Sequence, residues 1–322
     1  MQIVSPAPYL SVQERQELTK KSNLKAMWGI IYHWTWIIAC FAVVYYYPNL
    51  ITIVFALFIL GGKQLACAIL KHDAGHHAMF SSNFLNDHVG NWLGAYPVFQ
   101  DVLKYRDYHL IHHLNTGLEE DPDLLLTRGY PTSKQSMIRK FTRDITGQTG
   151  IKALIGLVMM HLGYLEYNLG NKVVRISQKD RTWAEFLKVL VLNLSGPFLA
   201  QLIIWALLFA FASGWLYLLW IGAYLTTFQF CIRVRSIAEH SVLEDPTDPH
   251  KNTRTTKANW LEQILFAPYN VNYHAEHHMM MAVPSYNLGK MHRIIKSRGF
   301  YEKGVIAPNY WSVIKMAAQP AE

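Results

Sequence analysis

Asn270-Val271-Asn272-Tyr273-His274-Ala275-Glu276-His277-His278 decides how this chain is read, because it sets three histidines at i, i+3 and i+4. On a helix these share one face. Two earlier stretches repeat the device: His72-Asp73-Ala74-Gly75-His76-His77, spaced i, i+4, i+5, and His109-Leu110-Ile111-His112-His113, spaced i, i+3, i+4. Nine of the chain's 15 histidines therefore lie in three short boxes. Imidazole is the commonest protein ligand for transition metals, and histidines one helical turn apart converge on a single ion. Nine ligands exceed the four that zinc usually takes and the six of an octahedral ion, so two metal ions are implied.

Around the boxes the chain is apolar. Of its 322 residues 51% are hydrophobic and only 16% charged, against about 25% charged in an average soluble domain. Four runs, 28–47, 50–70, 186–212 and 215–232, are of the roughly 20-residue length that crosses a bilayer. Pro48-Asn49 and Ser213-Gly214 supply the turns between them. The expected fold is an all-α integral membrane protein: four transmembrane helices and a cytoplasmic helical cap carrying a histidine-rich di-metal site. Residues 1–27 form an N-terminal head, 28–232 the membrane region with the first two boxes in 71–185, and 233–322 a cytoplasmic C-terminal part with the third. Ser11-Val12-Gln13-Glu14 fits a capping box in the head. No signal-peptide pattern is read there, so the first span serves as the insertion signal.

Two further apolar stretches are too short to cross. Val89–Phe99 is expected to lie in the interface or to dip in and return. Ile151–Leu165, which carries Lys152 and His161, is read as interfacial, because a fifth span would put the third box across the membrane from the other two. Ser195-Gly196-Pro197 is expected to kink the third span. Gly61-Gly62-Lys63-Gln64 interrupts the second span with polarity that must face protein or a cavity, and is expected close to the substrate.

The formal charge of +8 does not point to nucleic acid, since the basic residues flank apolar runs and form no tract with interleaved aromatics. An anionic membrane surface is the fitting partner. Of the 30 Lys and Arg, 29 fall on the predicted inner side and its flanks, Lys63 being the exception, which places the termini and the boxes in the cytoplasm. Cys40, Cys67 and Cys231 lie in apolar runs without paired spacing and are read as core residues.

The box histidines fall outside the apolar runs, unlike the axial histidines of a membrane heme bundle. His-Glu-x-x-His and paired Glu-x-x-His are both missing, which sets aside zinc proteases and soluble di-iron bundles. Nitrogen ligation alone leaves iron, copper, zinc or nickel open. In order, spacing and topology, from about Leu50 to Arg298, the boxes resemble the membrane fatty acid desaturase and hydroxylase superfamily. That resemblance implies two non-heme iron ions held by His72, His76, His77, His109, His112, His113, His274, His277 and His278, with one more ligand after the fourth span. It also implies O2-dependent insertion of a C=C bond into a lipid acyl substrate.

The pattern departs from that family at Met279-Met280-Met281, where relatives often carry Leu-Phe-Pro. No His-Pro-Gly-Gly heme-domain signature is present, so electrons are expected from a separate ferredoxin- or cytochrome-type donor. His240, adjoining Glu239 and eight residues past the fourth run, is assigned as the tenth ligand. Asp73, Glu239 and Glu276 adjoin histidines and are placed to accept an imidazole N–H. Asn270, one turn before His274, is placed to hold a metal-bound water. His33, His88, His161, His250 and His292 are read as structural. A hydroxylase of an alkyl chain, sterol or carotenoid shares the same boxes, and a non-catalytic metal-binding membrane protein or transporter is the alternative of another class.

Overall fold

The structure, a computed structural model, describes residues 3–170 and 173–319, so the outermost ends of the expected head and C-terminal part lie outside the described residues. Among the described residues four helices are long and apolar enough to cross a membrane: Asn23–Tyr46, Leu50–Gly75, Trp183–Phe211 and Gly214–His240. They match the four runs read from sequence; caps start the first and third some residues earlier than their runs, and the second and fourth continue past theirs to Gly75 and His240. Ser22 accepts from the Lys25 amide, Asn49 forms a capping box with Thr52, and Thr182 one with Glu185, satisfying amides that the first turn leaves without helical partners.

The second span is the hub, packed against the first and fourth spans, the box-two helix Val102–Asn115 and the short helix Trp260–Leu265. Its polar interruption has a packing cause. A Cβ on Gly61 would stand 2.4 Å from Thr227 Oγ1, and one on Gly62 2.5 Å from the Ile264 carbonyl oxygen. Only glycine admits such approach. Lys63 is buried, its ammonium 5.5 Å from the Trp36 ring centroid, while Gln64 donates to the Trp220 carbonyl at 2.8 Å. These residues pack the second span against its neighbours, and the wall of the cavity beside the histidines, described below, begins one residue further on at Leu65.

The third span is the least enclosed, with most of its apolar side chains outward. It continues as one helix through Pro197 to Phe211, and Gly196 faces the Tyr96 ring. That ring belongs to the 89–99 stretch, which passes through helical turns ending at Phe99 in the left-handed region. Gln201 of the third span donates to the Tyr96 and Pro97 carbonyls at 3.1 and 3.0 Å, so the stretch packs beside the middle of that span before the chain returns into box two. The helix Gln148–His161, too short to cross, presents Ile151, Ile155 and Val158 outward. Its last residue, His161, donates from Nε2 to the Phe99 carbonyl at 2.8 Å, and its Nδ1 lies 3.3 Å from Lys104 Nζ.

The C-terminal part holds the parallel strand pair Arg254–Thr256 and Val305–Ala307. One of its elements is not a cap over the spans. Trp260–Leu265 lies along the second span, where Leu261 and Leu265 share an apolar groove with Ile51, Phe55 and Phe58. Gly62, which it touches, precedes His72 by ten residues, about 15 Å along a helix.

Candidate metal centre

All three boxes meet where the second and fourth spans end. His72 occupies the last turn of the second span and His76 its C-cap. The box-two helix is started by Asp101, whose carboxylate accepts from the Leu103 and Lys104 amides. His109, His112 and His113 lie on its buried face. Box three forms the short helix His274–Met279, entered through Tyr269 and Asn270 at positive φ. His240 is the final residue of the fourth span.

Nine histidines converge as two neighbouring groups. One contains His72, His76, His109, His113 and His277; the other contains His112, His240, His274 and His278; ligand atoms within each lie within 4.8 Å of one another. Box two supplies both groups, and the His113 and His278 rings, one from each, are 4.2 Å apart between centroids. Within the groups Nε2 faces Nε2: His109 to His113 at 3.1 Å, His113 to His277 at 3.2 Å, and His240 to His274 at 2.8 Å. Two nitrogens bound to one ion at about 2.1 Å and at right angles stand about 3 Å apart. The buried Nε2 atoms of His72, His76 and His278 have no hydrogen-bond partner, an arrangement that is costly unless a cation or water meets them. This donor set fits two metal ions.

Burial favours neutral imidazole, which is the ligating form. It holds His76 down to about 3, helped by the neighbouring His112 and Arg106. It likewise keeps His109, His113, His274, His277 and His278 well below the ordinary range, with the other histidines adding repulsion.

The outward-facing nitrogens are oriented by a second layer of contacts. His72 Nδ1 donates to Asp73 at 3.0 Å, and His240 Nδ1 to the Asn252 carbonyl at 3.2 Å. The Thr116 hydroxyl donates to the His112 carbonyl at 2.7 Å, so it accepts from His278 Nδ1 at 3.3 Å. His112 Nδ1 donates to Asp121 at 2.7 Å, and Asp121 also accepts from the Gly117 and Asp123 amides. Burial works to raise Asp121, but the His112 contact and the two amides outweigh it and hold the carboxyl low. The pattern of the boxes does not point to Asp121; the sequence signal for it is Asp121-Pro122-Asp123 just after box two. Asp123 Oδ2 lies 3.9 Å from the same imidazole nitrogen.

Four expectations are met differently. His77 joins neither group: the helix has ended, its φ of 50° turns the side chain away, and it is partly exposed. Glu276 touches no box histidine, because two residues from His274 it is about 200° round the helix. It accepts instead from Thr255 and His292, each at 2.5 Å, and from the Tyr301 hydroxyl; His292, read as structural, is thus its partner. Asn270 Nδ2 donates to the Ser285 carbonyl at 3.2 Å and belongs to neither group. Glu239 stands 3.5 Å from His274 Nδ1, while the same carboxylate oxygen accepts from Arg235 at 2.7 Å; the ion pair is the shorter contact and governs its placement.

A cavity of about 980 Å³ borders the site, with His109, His112, His240 and His274 in its wall. Leu65, Ala68, Leu157, Met160 and Phe228 give it an apolar stretch that suits an alkyl chain. Lys71, which donates to Gln100 at 2.7 Å and lies 3.3 Å over the Tyr105 ring, adds a polar one.

The profile of the fatty acid desaturase family matches residues 45–309. The chain is 29% identical over 245 residues to a dihydrorhizobitoxine desaturase of Bradyrhizobium elkanii, covering 74% of this chain and 66% of that protein. It is 25% identical over 242 residues to an sn-1 oleoyl-lipid 12-desaturase of Synechocystis, covering 71% and 64%, and 22% identical to one of Anabaena variabilis, covering 68% and 62%. The chain thus spans just under two thirds of the length of these relatives. The matched region contains both histidine groups and the cavity wall they share, and the chain belongs to the fatty acid desaturase family.

Proposed function

We propose that the protein is a membrane-bound, non-heme di-iron desaturase that uses O2 to introduce a C=C bond into the alkyl chain of a lipid. The observation that carries this reading is the pair of all-histidine groups beside a cavity with an apolar stretch, His109 of one group and His112, His240 and His274 of the other reaching its wall. His72, His76, His109, His113 and His277 would hold one iron, and His112, His240, His274 and His278 the other. Bound there, two ferrous ions would supply the redox chemistry with O2 that an unactivated C–H bond requires and that zinc cannot provide.

The chain's own residues do the positioning. Asp73 and Asp121 fix the tautomers and ring planes of His72 and His112, so each presents Nε2 inward. The apolar wall from Leu65 to Phe228 aligns a methylene pair beside the histidines. Burial of seven of the nine grouped histidines limits the access of bulk water to the reacting carbons. The distribution of Lys and Arg supports boxes, head and C-terminal part on the cytoplasmic side, with electrons from a separate ferredoxin- or cytochrome-type donor.

Two relatives named for an oleoyl lipid support an acyl-lipid substrate, and one named for dihydrorhizobitoxine widens the range to be tested. Mass spectrometry of lipids and small metabolites from cells with and without the gene is the test. A product lighter by two hydrogens is expected. A product heavier by one oxygen would make the enzyme a hydroxylase, and an unchanged profile would defeat the reading.

A further inference from the structure

The metal centre has two sides, and the cavity uses one of them. Its wall takes His109, His112, His240 and His274, whereas His76 and His77 are absent from it and are partly exposed elsewhere. His76 is packed within 4.9 Å, ring to ring, of His72, His109 and His277, and within 4.7 Å of His113. The surface at His76 and His77 is therefore a second face of the five-histidine group toward solvent, apart from the cavity wall.

That surface is basic. Arg106 and Lys21 are near enough for their charges to reach His77. The chain just after box one is tied to the start of the first span by the Ser81 amide, which donates to Asn23 at 2.9 Å. From there the head packs onto the helix Ser285–Ser297: the Ser22 amide donates to the Tyr286 hydroxyl at 2.6 Å, Lys25 lies 5.4 Å over the Tyr286 ring, and Asn287 donates to the Leu18 carbonyl at 2.8 Å. Lys20, Lys25, Arg293 and Lys296 on these elements are exposed. Lys290 is matched by Glu17 and Arg106 by Asp87, which leaves cationic charge in excess across the patch.

We propose that this patch is the docking surface for an acidic one-electron carrier protein, which delivers electrons to the centre past His77 and His76. The inference rests on the desaturase reading. Desaturation converts –CH2–CH2–, O2, two protons and two electrons into –CH=CH– and two waters. Four electrons reduce O2; two come from the C–H bonds and two from outside, so a one-electron carrier must dock twice per turnover. Basic residues around an entry point raise the encounter rate of an acidic partner and make it salt-sensitive. An anionic membrane surface is the competing occupant. The carrier is favoured because the patch adjoins the exposed edge of the centre at Arg106 and Lys21 and continues onto Ser285–Ser297, which belongs to no span.

The test uses the iron-loaded enzyme in phosphatidylcholine nanodiscs, with an acidic plant-type ferredoxin or with methyl viologen reduced by dithionite. In Lys21→Glu/Lys25→Glu/Arg293→Glu the KM for ferredoxin should rise about tenfold and lose most of its salt dependence, while viologen-driven turnover stays at the wild-type rate. Lys179→Glu/Lys315→Glu, exposed and outside both the patch and the cavity wall, should leave the ferredoxin KM unchanged. An unchanged KM in the triple variant, an equal loss in that variant with both reductants, or turnover of the unmutated enzyme with viologen but not with ferredoxin would overturn the docking proposal. Weakened binding to phosphatidylserine vesicles at unchanged KM would assign the patch to lipid. Absence of desaturated product from the wild type with either reductant would instead strike the desaturase reading itself.

Discussion

Box one and box two carry nearly the same signature and deliver different numbers of histidines to the centre. In box two the helix runs unbroken from Val102 to Asn115, so His109, His112 and His113 keep one face and all three enter the groups. In box one the second span ends at Gly75; His72 is still helical, His76 is the cap, and His77 departs at positive φ. The spacing of histidines on paper is an offer of ligands, and the helix boundary decides how many are taken up.

The deepest break in this contrast comes from box two. His113 faces both His109 and His277 through Nε2 and packs on His278 of the other group, so His113→Ala removes a ligand and loosens both halves. Iron content should drop from two per chain to one or fewer, and turnover should fall on the order of a thousandfold or more. His240→Ala, which takes one of four ligands from the second group, should match it in turnover while sparing part of the iron. His250, partly buried beside Asp248 and in neither group, is the control and should tolerate Ala. Elemental analysis of purified protein alongside product analysis checks both; full iron and activity in His240→Ala would remove it from the ligand set.

A smaller effect is expected from the carboxylate that orients a ligand. Asp121→Asn keeps the shape and removes the charge that holds His112 by Nδ1. Loss of such a partner costs about 10- to 100-fold in metal affinity or activity, readable as faster iron loss to a chelator. Glu276→Gln acts elsewhere, on the anchoring of box three through Thr255 and His292, and should lower thermal stability more than it changes the iron affinity of the folded protein.

What the sequence disclosed and what it hid divide along the same line. Four apolar runs and the i, i+3, i+4 spacing depend on local periodicity, and the spans and the converging boxes follow them. The packing of Trp260–Leu265 beside Gly62 depends on a contact across about 200 residues, and nothing local in either stretch announces it. Glu276 adjoins box histidines in sequence and faces away from them, whereas Asp121, eight residues past His113, holds His112. Adjacency along the chain is a poor guide to which carboxylate meets which imidazole once a helix has rotated it. Gly61-Gly62-Lys63-Gln64 reads as a polar interruption because composition shows polarity but not the close backbone approach that glycine permits.

Acid should act on both groups at once. Desolvation and mutual repulsion hold His109, His113, His274, His277 and His278 well below their unfolded value of about 6.5, and His76 down to about 3. For such groups the unfolded state binds more protons in the intervening range. Stability of the metal-free protein is therefore fully present above about 6.5 and declines as pH falls from there toward 3. Iron retention should follow the same direction, since protons compete for the ligating nitrogens. Unfolding of the metal-free protein in detergent, followed from pH 8 to 5, should show a falling midpoint; a midpoint that rises on acidification would mean these imidazoles are protonated in the fold.

The smallest effect should come from the histidine that most resembles a ligand in sequence. His77 adjoins His76, completes the first box and carries a buried Nδ1 without a partner. Its ring nevertheless stands outside both groups, and the nearer group brings five histidines together without it. His77→Ala should keep two irons per chain and, with reduced methyl viologen as electron source, turn over within about twofold of wild type, since it truncates a partly exposed side chain that belongs to neither group. His76→Ala, one residue away, should lose iron and activity as His113→Ala does. Measured side by side under iron-rich expression, the two variants place the boundary of the metal site between adjacent residues. Loss of one iron in His77→Ala would move that boundary outward and return the third box-one histidine to the ligand set.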